Sequence, residues 1–420
     1  INIPSKLHGS AFVTFMFPGQ GNQYFSMGKD LYQSNELFTS ILDQGFEILQ
    51  QLTGENIKDI MGFGTSKEID STLINDTKYT QPILFLFEYT LAKLILNVGI
   101  IPNQMIGHSL GEYVAACIGG VFSFEDGLKI VTERARLMSQ LEVGAMVHVN
   151  VDVSAVQVYL NDTLDIAVIN TENTCVIAGT LEDIDTFTEI LKAESIAHIR
   201  LKTSHAFHSH MMDAMLEEYR EVLNSIHLSA SKFPIVSNIT GVYLLDEEVT
   251  STNYWVNHIR QTVNFAKGTQ FLLKNKNGIF IELGPGKSLS SFMQKNSDFQ
   301  EDHRVVNMVR HPKGYENDEY FFLHGLGQIW QYGIDIQWNK LYTEAKRNKI
   351  PIPTYCFDRI ELPVKVSPYK QLENAQVIKS SKGEAKEWTY KKGWREITET
   401  LYSREDDEFS VYLLLDNEVS

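Results

Sequence analysis

Cysteine is scarce in this sequence: only three occur in 420 residues, at Cys117, Cys175 and Cys356. They lie far apart and match no metal-binding or redox spacing, which predicts reduced thiols and a cytoplasmic location. Long apolar runs are lacking too, because the richest one, residues 83–101, is interrupted by a glutamate and a lysine. That run predicts a buried helix and no membrane span.

Positive charge is also in short supply. The chain has 37 Lys and Arg residues against 53 Asp and Glu, a formal net charge of -16 at pH 7. This balance argues against nucleic acids and anionic membranes as partners, although a few well-placed arginines can still hold an anionic small molecule. With 43% hydrophobic and 21% charged residues, the composition is that of a globular protein, and the length allows two or three domains.

The central motif is Gly107-His108-Ser109-Leu110-Gly111, which follows a short apolar run and precedes a helix-like segment. The G-x-S-x-G pattern is typical of a nucleophile elbow, a tight strand-to-helix turn that exposes a serine oxygen at the edge of a parallel sheet. Glycines on both sides relieve backbone crowding. An ordinary turn is the alternative, since Gly and Ser are common in turns.

A helix is predicted from about Phe124 to Leu141, and Arg134 projects from the middle of its apolar face. The apolar positions are Ile130, Val131, Leu137, Met138 and Leu141, and the polar ones are Lys129, Glu133 and Arg136. An arginine on such a face needs a partner. One possibility is that Arg134 forms an internal salt bridge. The other is that it points into a pocket, where its guanidinium binds a substrate carboxylate through two parallel hydrogen bonds.

Three histidines occur in the segment His205-Ala206-Phe207-His208-Ser209-His210, just before a predicted helix with a regular apolar stripe. His208 lies on that stripe at the helix start, where the helix dipole disfavours imidazolium. It is therefore predicted to be neutral near pH 7, the state that a general base needs. A metal site is disfavoured because no acidic or cysteine ligand accompanies the histidines. A capping or core histidine is the other interpretation.

Two glutamines are candidates to line the pocket of the serine. Gln20 lies in a glycine-bracketed turn, residues 18–23, which lacks the Lys-Ser/Thr ending of a nucleotide-binding P-loop. Gln81 lies in Thr80-Gln81-Pro82, which predicts the start of a helix running to about Asn97. A plain connection and a local helix cap are the alternatives.

Residues 143–203 change character and predict a small β-α-β-β-α-β unit. Its predicted strands are 147–151, 165–170, 174–178 and 197–201, and its predicted helices are 153–161 and 181–193. This order is that of a split βαβ, ferredoxin-like fold. It predicts a small subdomain inserted into a larger one that is formed by residues 11–142 and 204–300.

Together, these motifs resemble the acyltransferase domain of modular polyketide synthases, which is related to the malonyl-CoA:acyl-carrier-protein transacylases. The resemblance covers about residues 12–300, with a recognisable tail to residue 363. Its motifs are Phe17-Pro18-Gly19-Gln20-Gly21, Thr80-Gln81-Pro82, residues 107–112, residues 134–138, residues 205–209 and Gly284-Pro285-Gly286-Lys287. The fold that it implies is α/β: a large α/β-hydrolase-like subdomain with a parallel sheet, plus the inserted ferredoxin-like subdomain.

The resemblance implies a role for each candidate residue. Ser109 attacks the thioester carbonyl of an acyl-CoA, and His208 takes and returns the proton. The backbone N–H groups of Gln20 and Leu110 bind the oxyanion, and Arg134 binds the free carboxylate of a malonyl group. The other residues expected at the substrate are Gln81, His108, His205 and Phe207.

The choice of extender unit follows from the same resemblance. The segment His205-Ala206-Phe207-His208 is similar to that of malonyl-selective members, whereas methylmalonyl-selective members tend to have Tyr-Ala-Ser-His. Bulky Phe207 is expected to fill the space of an α-methyl group, which is worth about 1–3 kcal/mol of discrimination. Methyl-, hydroxy- and aminomalonyl units stay open as alternatives.

The resemblance also implies neighbours on a longer polypeptide. Residues 1–10 are expected to end a linker from a ketosynthase, residues 301–363 to form a strap and linker, and residues 364–420 to hold linker and the truncated start of a processing domain. The acceptor is the phosphopantetheine thiol of an acyl carrier protein, with no bound cofactor or metal. Residues 340–349, with Lys346, Arg347 and Lys349, are a candidate basic patch for that carrier, or else a solvated helix face.

Two other functions stay open. An esterase or thioesterase of α/β-hydrolase type shares the elbow and the histidine, but needs a triad acid and has no use for Arg134. The acyltransferase family orients its histidine through a backbone carbonyl, expected near Asn264. A non-enzymatic scaffold between modules is the third hypothesis, in which Ser109 is unreactive.

Overall fold

Two separate sheets organise the part of the chain that this computed structural model describes, residues 11–64 and 70–341. The strands there are β1 (Phe12–Phe17), β2 (Gln104–Gly107), β3 (Gly144–Val149), β4 (Leu164–Thr171), β5 (Thr174–Thr180), β6 (His198–Arg200), β7 (Ile235–Val236), β8 (Gly278–Glu282) and β9 (Arg304–Asn307). The α-helices are α1 (Lys29–Ser34), α2 (Glu36–Thr53), α3 (Ile57–Ile60), α4 (Thr77–Asn97), α5 (Leu110–Gly119), α6 (Phe124–Ser139), α7 (Val153–Gln157), α8 (Leu181–Ala193), α9 (Leu216–Asn224), α10 (Asp246–Val249), α11 (Thr252–Arg260), α12 (Phe265–Leu272), α13 (Ser288–Gln294) and α14 (Asp318–Gln331). Short 3-10 helices span Leu73–Asn75, His210–Met215 and Trp338–Leu341.

The larger sheet has the strand order β7-β2-β1-β8-β9, and its neighbouring strands all run parallel. The residues of β2 and β8 are all buried, as expected for strands whose two faces are both covered. The carboxyl ends of these strands meet at one edge of the sheet, which is where ligands bind in open α/β folds. The predicted α/β architecture with a parallel sheet is confirmed.

The smaller sheet has the order β4-β5-β3-β6 and is antiparallel throughout. It contains all the strands predicted for residues 143–203, with α7 and α8 as the two crossover helices. α8 has the predicted bounds, whereas α7 ends four residues earlier than expected. The ferredoxin-like order of elements is therefore confirmed.

The large sheet continues past the predicted subdomain boundary at residue 300. β9 pairs in parallel with β8, with Val306 opposite Ile281, so it is an edge strand of this sheet and not part of a strap. α14 is attached to α1, since the backbone N–H of Asp318 donates to Asp30 Oδ2 at 2.8 Å. The predicted strap beyond residue 341 and the linker and processing domain at 364–420 lie outside the described residues.

The central helix α4 begins earlier than the sequence indicated. Its N-cap is Asp76, whose side chain accepts the Lys78 N–H at 2.9 Å, so Thr80 is not the cap and Pro82 lies inside the helix. An aspartate in the cap position satisfies a free N–H, which outweighs the preference of proline for the first turn. Gln81 consequently faces the protein interior and is fully buried. In the described residues no helix has the length and apolar character that a bilayer span requires.

Candidate active site

The predicted elbow lies where β2 ends and α5 begins. Ser109 has φ 50° and ψ −109°, outside the regions that residues with a side chain normally adopt. Glycines beside it are sterically required, because a Cβ at Gly111 would lie 1.9 Å from the Phe17 carbonyl oxygen and one at Gly107 would lie 1.9 Å from the Glu112 nitrogen. The turn is therefore much tighter than an ordinary connection, and it holds α5 directly against the strand ends.

Ser109 and His208 form a hydrogen-bonded pair. The distance from Ser109 Oγ to His208 Nε2 is 2.7 Å, and His208 Nδ1 lies 3.1 Å from the Gln261 carbonyl oxygen. Since that carbonyl can only accept, Nδ1 carries the hydrogen and the lone pair of Nε2 faces the serine. The orienting group is therefore a backbone carbonyl, as expected, and it belongs to Gln261, three residues before Asn264.

His208 is almost completely buried, and its surroundings favour the neutral imidazole. Burial is the main cause that holds the pKa of His208 well below its usual range, followed by the electrostatic effects of His258, Arg134 and His108. The predicted cause was different: the helix after it is a 3-10 helix that starts only at His210, and His208 precedes it with φ 56°. The lowered pKa therefore comes from burial and neighbouring groups, and not from the helix dipole.

The three neighbouring histidines have three different partners. His205 Nδ1 lies 2.8 Å from Ser204 Oγ, His210 Nδ1 lies 2.7 Å from Asp165 Oδ2, and His208 faces Ser109. Within residues 11–64 and 70–341, no group of three or more His, Cys, Asp or Glu side chains is placed to hold a metal ion. The histidine-rich segment thus serves separate contacts rather than one centre.

Arg134 points from α6 to the same place. Its side chain is 1% exposed, Nη2 donates to Ser109 Oγ at 3.4 Å, and Nη1 donates to Gln81 Oε1. The guanidinium carbon lies 5.5 Å from the centroid of the Tyr113 ring, and Nε has no hydrogen-bond partner. The ion pairs found among the described residues do not include Arg134, so the internal salt bridge has no support. A buried guanidinium with neutral neighbours is suited to an anionic ligand.

Gln81 holds this arginine in place. Its Oε1 accepts from Arg134, and its Nε2 donates to Met138 Sδ at 3.3 Å, so both ends of the amide are engaged. Met138 lies one helical turn after Arg134 on α6. The structure thus brings Gln81 to the predicted pocket as a support for Arg134.

The resemblance assigns an oxyanion to the backbone N–H groups of Gln20 and Leu110, which lie on two segments that meet at the elbow. Leu110 is the first residue of α5, and Gln20 lies in the turn after β1. That turn contacts the elbow closely, because a Cβ at Gly19 would lie 2.9 Å from the His108 carbonyl oxygen. Neither N–H group donates a hydrogen bond to another described residue. Paired donors of this kind can stabilise a tetrahedral intermediate.

The remaining predicted substrate residues, His108 and Phe207, have different surroundings. His108 Nε2 lies 2.9 Å from Asn170 Oδ1 on β4, so its described hydrogen bond joins the elbow to the small sheet. Its ring centroid is 5.3 Å from that of Phe265. Phe207 is partly buried at the junction of two core clusters, and its ring lies 6.3 Å from that of His205.

Sequence reasoning missed two residues near the elbow, Asn238 and Glu112. Asn238 donates to and accepts from the elbow backbone, and Glu112 accepts from Asn238. A signal for Asn238 was available, because it follows β7, the parallel neighbour of β2.

Known proteins with similar sequences are polyketide synthases. A phenolphthiocerol/phthiocerol polyketide synthase subunit of Mycobacterium tuberculosis is 33% identical over 347 residues, which is 83% of this chain and 23% of that protein. Polyketide synthase GfsA of Streptomyces halstedii is 29% identical over 372 residues, 86% of this chain and 5% of that protein. The chain thus spans less than a quarter of the length of these relatives.

Similar solved structures are acyltransferase domains. The acyl transferase domain of ZmaA is 35% identical with a TM-score of 0.74, covering 83% of this chain and 81% of that one. The acyltransferase domain from the second module of the salinomycin polyketide synthase is 31% identical with a TM-score of 0.73, covering 82% and 80%. The family model for the acyl transferase domain matches residues 14–335. On its elbow, its serine–histidine pair and these matches, the chain belongs to the acyl transferase domain family.

Proposed function

We propose that this domain loads an extender unit, malonyl, from CoA onto Ser109 and transfers it to the phosphopantetheine thiol of an acyl carrier protein. The observation that carries this proposal is that His208 and Arg134 both lie within hydrogen-bond distance of the Ser109 hydroxyl oxygen. Ser109 Oγ lies 2.7 Å from His208 Nε2 and 3.4 Å from Arg134 Nη2. A nucleophile, its base and an anion-binding guanidinium together suit an acyl group that carries a free carboxylate.

In the first half-reaction, Ser109 Oγ attacks the thioester carbonyl while its proton passes to His208 Nε2. The oxyanion that forms accepts from the N–H groups of Gln20 and Leu110, and one such donor is worth about 2.7–4 kcal/mol of the barrier. Collapse of the intermediate breaks the C–S bond, and the imidazolium of His208 returns the proton to the CoA thiolate. The product is a malonyl ester of Ser109 and free CoA.

The second half-reaction runs the same steps with a new thiol. The phosphopantetheine thiol gives its proton to His208 and attacks the ester carbonyl, and Ser109 leaves with that proton. The Gln261 carbonyl supports both directions, because it keeps the hydrogen on Nδ1 and leaves Nε2 to exchange protons. A carbonyl in this position also argues against the hydrolase alternative, which needs a triad acid.

Subdomain limits and partners belong to the same proposal. We assign residues 11–142 and 204–307 to the large subdomain and 143–203 to the small one; residues 1–10 and 364–420 would connect it to a ketosynthase and a processing domain.

The carrier protein is expected to approach the strand ends near Ser109. Of the candidate basic patch, Lys340 is described and exposed, whereas Lys346, Arg347 and Lys349 lie outside the described residues. Cys117 and Cys175 are free buried thiols, which fits the predicted cytoplasmic location.

Intact-protein mass spectrometry tests the proposal. The domain is incubated with an equimolar mixture of malonyl-, methylmalonyl- and acetyl-CoA, and the Ser109→Ala variant serves as control. The expected result is a malonyl adduct on the wild type and none on the variant. A lasting absence of adducts from all three donors would count against the proposal and favour the scaffold hypothesis, whereas an adduct that water removes quickly without carrier protein would favour a hydrolase.

Replacing Phe207 by serine should relax the choice of extender unit. A smaller side chain opens space beside His208, and one methyl group is worth about 1–3 kcal/mol, so we expect methylmalonyl loading to gain about 10-fold relative to malonyl. The ratio of kcat/KM values for the two donors measures the effect. An unchanged ratio would place selectivity elsewhere in the pocket. Phe271→Ser, which removes a phenylalanine that contacts Tyr243 instead, is the matched control.

A further inference from the structure

The elbow strand has a neighbour whose end reaches Ser109 from the side. β2 and β7 pair in parallel, with Ile106 opposite Val236. Because the two strands end at the same edge, the residues that follow Val236 lie beside the residues that follow Ile106. Asn238 is thus next to the elbow although 129 residues separate it from Ser109 in the sequence.

The Asn238 side chain bridges the elbow. Its Oδ1 accepts from the Ser109 backbone N–H at 2.6 Å, and its Nδ2 donates to the Gly107 carbonyl at 2.8 Å. The Ser109 N–H and the Gly107 carbonyl lie on either side of His108 in the chain, so the hydrogen bonds of one side-chain amide connect the two sides of the turn. The side chain is 2% exposed, which leaves its hydrogen bonds little competition from water.

Glu112 holds Asn238 in turn. Its Oε2 accepts from the Asn238 backbone N–H at 2.7 Å, and its Oε1 accepts from the Tyr254 hydroxyl. His258 Nε2 lies 3.6 Å from Oε2, and the side chains of both residues are fully buried. Glu112 belongs to the first turn of α5, where the helix dipole favours a carboxylate. Asn238 is therefore anchored to the helix that the elbow itself begins.

We propose that Asn238 and Glu112 form an elbow clamp that positions Ser109 for acyl transfer; this inference rests on the proposed function. Ser109 has a backbone conformation that persists only when its surroundings hold it. The same φ and ψ angles fix where Oγ points and where the next N–H, that of Leu110, points. Releasing the clamp therefore misplaces the nucleophile and one oxyanion donor together. Neither clamp side chain hydrogen-bonds to Ser109 Oγ or His208, so both are positioning residues.

Asn238→Ala tests the clamp, with Gln104→Ala as the matched control. Gln104 is a fully buried amide on β2, the strand that leads into the elbow. It also makes two side-chain hydrogen bonds, donating to Thr14 and accepting from Tyr243, but at the end of β2 away from Ser109. Two rates are measured: phosphorylation of Ser109 by diisopropyl fluorophosphate, which releases fluoride and needs no carboxylate on the reagent, and single-turnover acylation by malonyl-CoA. We expect Asn238→Ala to lower both by about 100-fold with KM changed less than about threefold. Gln104→Ala should change each rate by less than about threefold.

Further variants separate positioning from loss of folding. Asn238→Asp keeps the acceptor for the Ser109 N–H but places an oxygen against the Gly107 carbonyl, so we expect a smaller loss of about 10-fold. In Asn238→Ala, which changes no charge near His208, the acid limb of the pH–rate profile should stay at its wild-type position. Glu112→Gln keeps the shape of the anchor and should also lose about 10-fold, which covers the case in which Asn238→Ala does not fold.

The outcomes distinguish the clamp from the function on which it rests. A wild-type Ser109 that is inert to the fluorophosphate would overturn the proposed function and the clamp with it. A reactive wild type with equally reactive, folded Asn238 and Glu112 variants would overturn the clamp alone. A shifted acid limb in Asn238→Ala would also overturn the clamp, because it would show that the substitution acts through His208. An equal loss of both rates in Gln104→Ala would overturn it as well.

Discussion

His208→Ala should slow the acylation of Ser109 by about 10⁴-fold or more, the loss expected when a serine nucleophile is deprived of its base. In the wild type, Nε2 lies 2.7 Å from Ser109 Oγ, and the variant leaves no other described side chain in that position. Stopped-flow or rapid-quench measurement of the malonyl-Ser109 ester gives the rate. His303→Ala is the matched control, because His303 is also a buried histidine bonded to a backbone carbonyl, that of Asn275.

The pH dependence of the wild type checks the same assignment. Burial and the neighbouring His258, Arg134 and His108 hold the pKa of His208 well below its usual range, and the proposed mechanism uses the neutral form as the base. The acylation rate should therefore be constant from pH 8 down to about 6.5, the ordinary pKa of histidine, and fall only below it. An acylation rate at pH 7 that is only half of the rate at pH 8 would contradict this assignment.

Arg134→Ala should lower malonyl loading by about 10²- to 10³-fold, since the substrate carboxylate would enter a buried site without its partner. Loading of acetyl, which has no carboxylate, should fall much less, so the preference between the two donors narrows or reverses. Intact-protein mass spectrometry with both CoA esters measures the ratio. Unchanged malonyl loading would remove Arg134 from the substrate site.

A neighbouring arginine offers the control for this substitution. Arg136 lies on the outer face of the same helix and pairs with Glu133 and Glu218, at 2.8 and 2.6 Å. Arg136→Ala removes a positive charge from α6 but not from the pocket, and it should leave the donor preference as in the wild type. Because the charge of Arg134 is one cause of the low pKa of His208, Arg134→Ala should also move the acid limb to higher pH.

The local patterns of the sequence were sufficient to find the residues that the structure brings together at the elbow. Gly-x-Ser-x-Gly requires a turn that only glycines allow, and the structure has Cβ positions at Gly107 and Gly111 blocked by backbone atoms. The 3.6-residue period of α6 placed Arg134 on a buried face, where it is found. The period-2 and helical patterns of residues 143–203 predicted the small sheet for the same reason: each is a property of consecutive residues.

What the sequence left open or misplaced concerns groups that act across long sequence separations or through the backbone. The carbonyl that orients His208 was expected near Asn264 and belongs to Gln261, and its exact position has no signal because any residue could provide it. β9 joins the large sheet beyond residue 300 by pairing with β8. The four residues of β9 do not by themselves indicate with which strand they pair. Asp76 caps α4 four residues before the predicted cap Thr80, since capping depends on which N–H groups the fold leaves unpaired.

By itself, then, the sequence determined which chemical groups the protein has and which short segments carry them: the serine in its turn, the histidine, and the arginine on an apolar helix face. Tertiary structure alone decided how these groups meet. Burial lowers the pKa of His208, Gln81 holds Arg134, and the ends of β2 and β7 bring Asn238 to the elbow. The physical reason is that solvent exclusion and hydrogen bonding depend on neighbours in space, which a linear pattern does not contain.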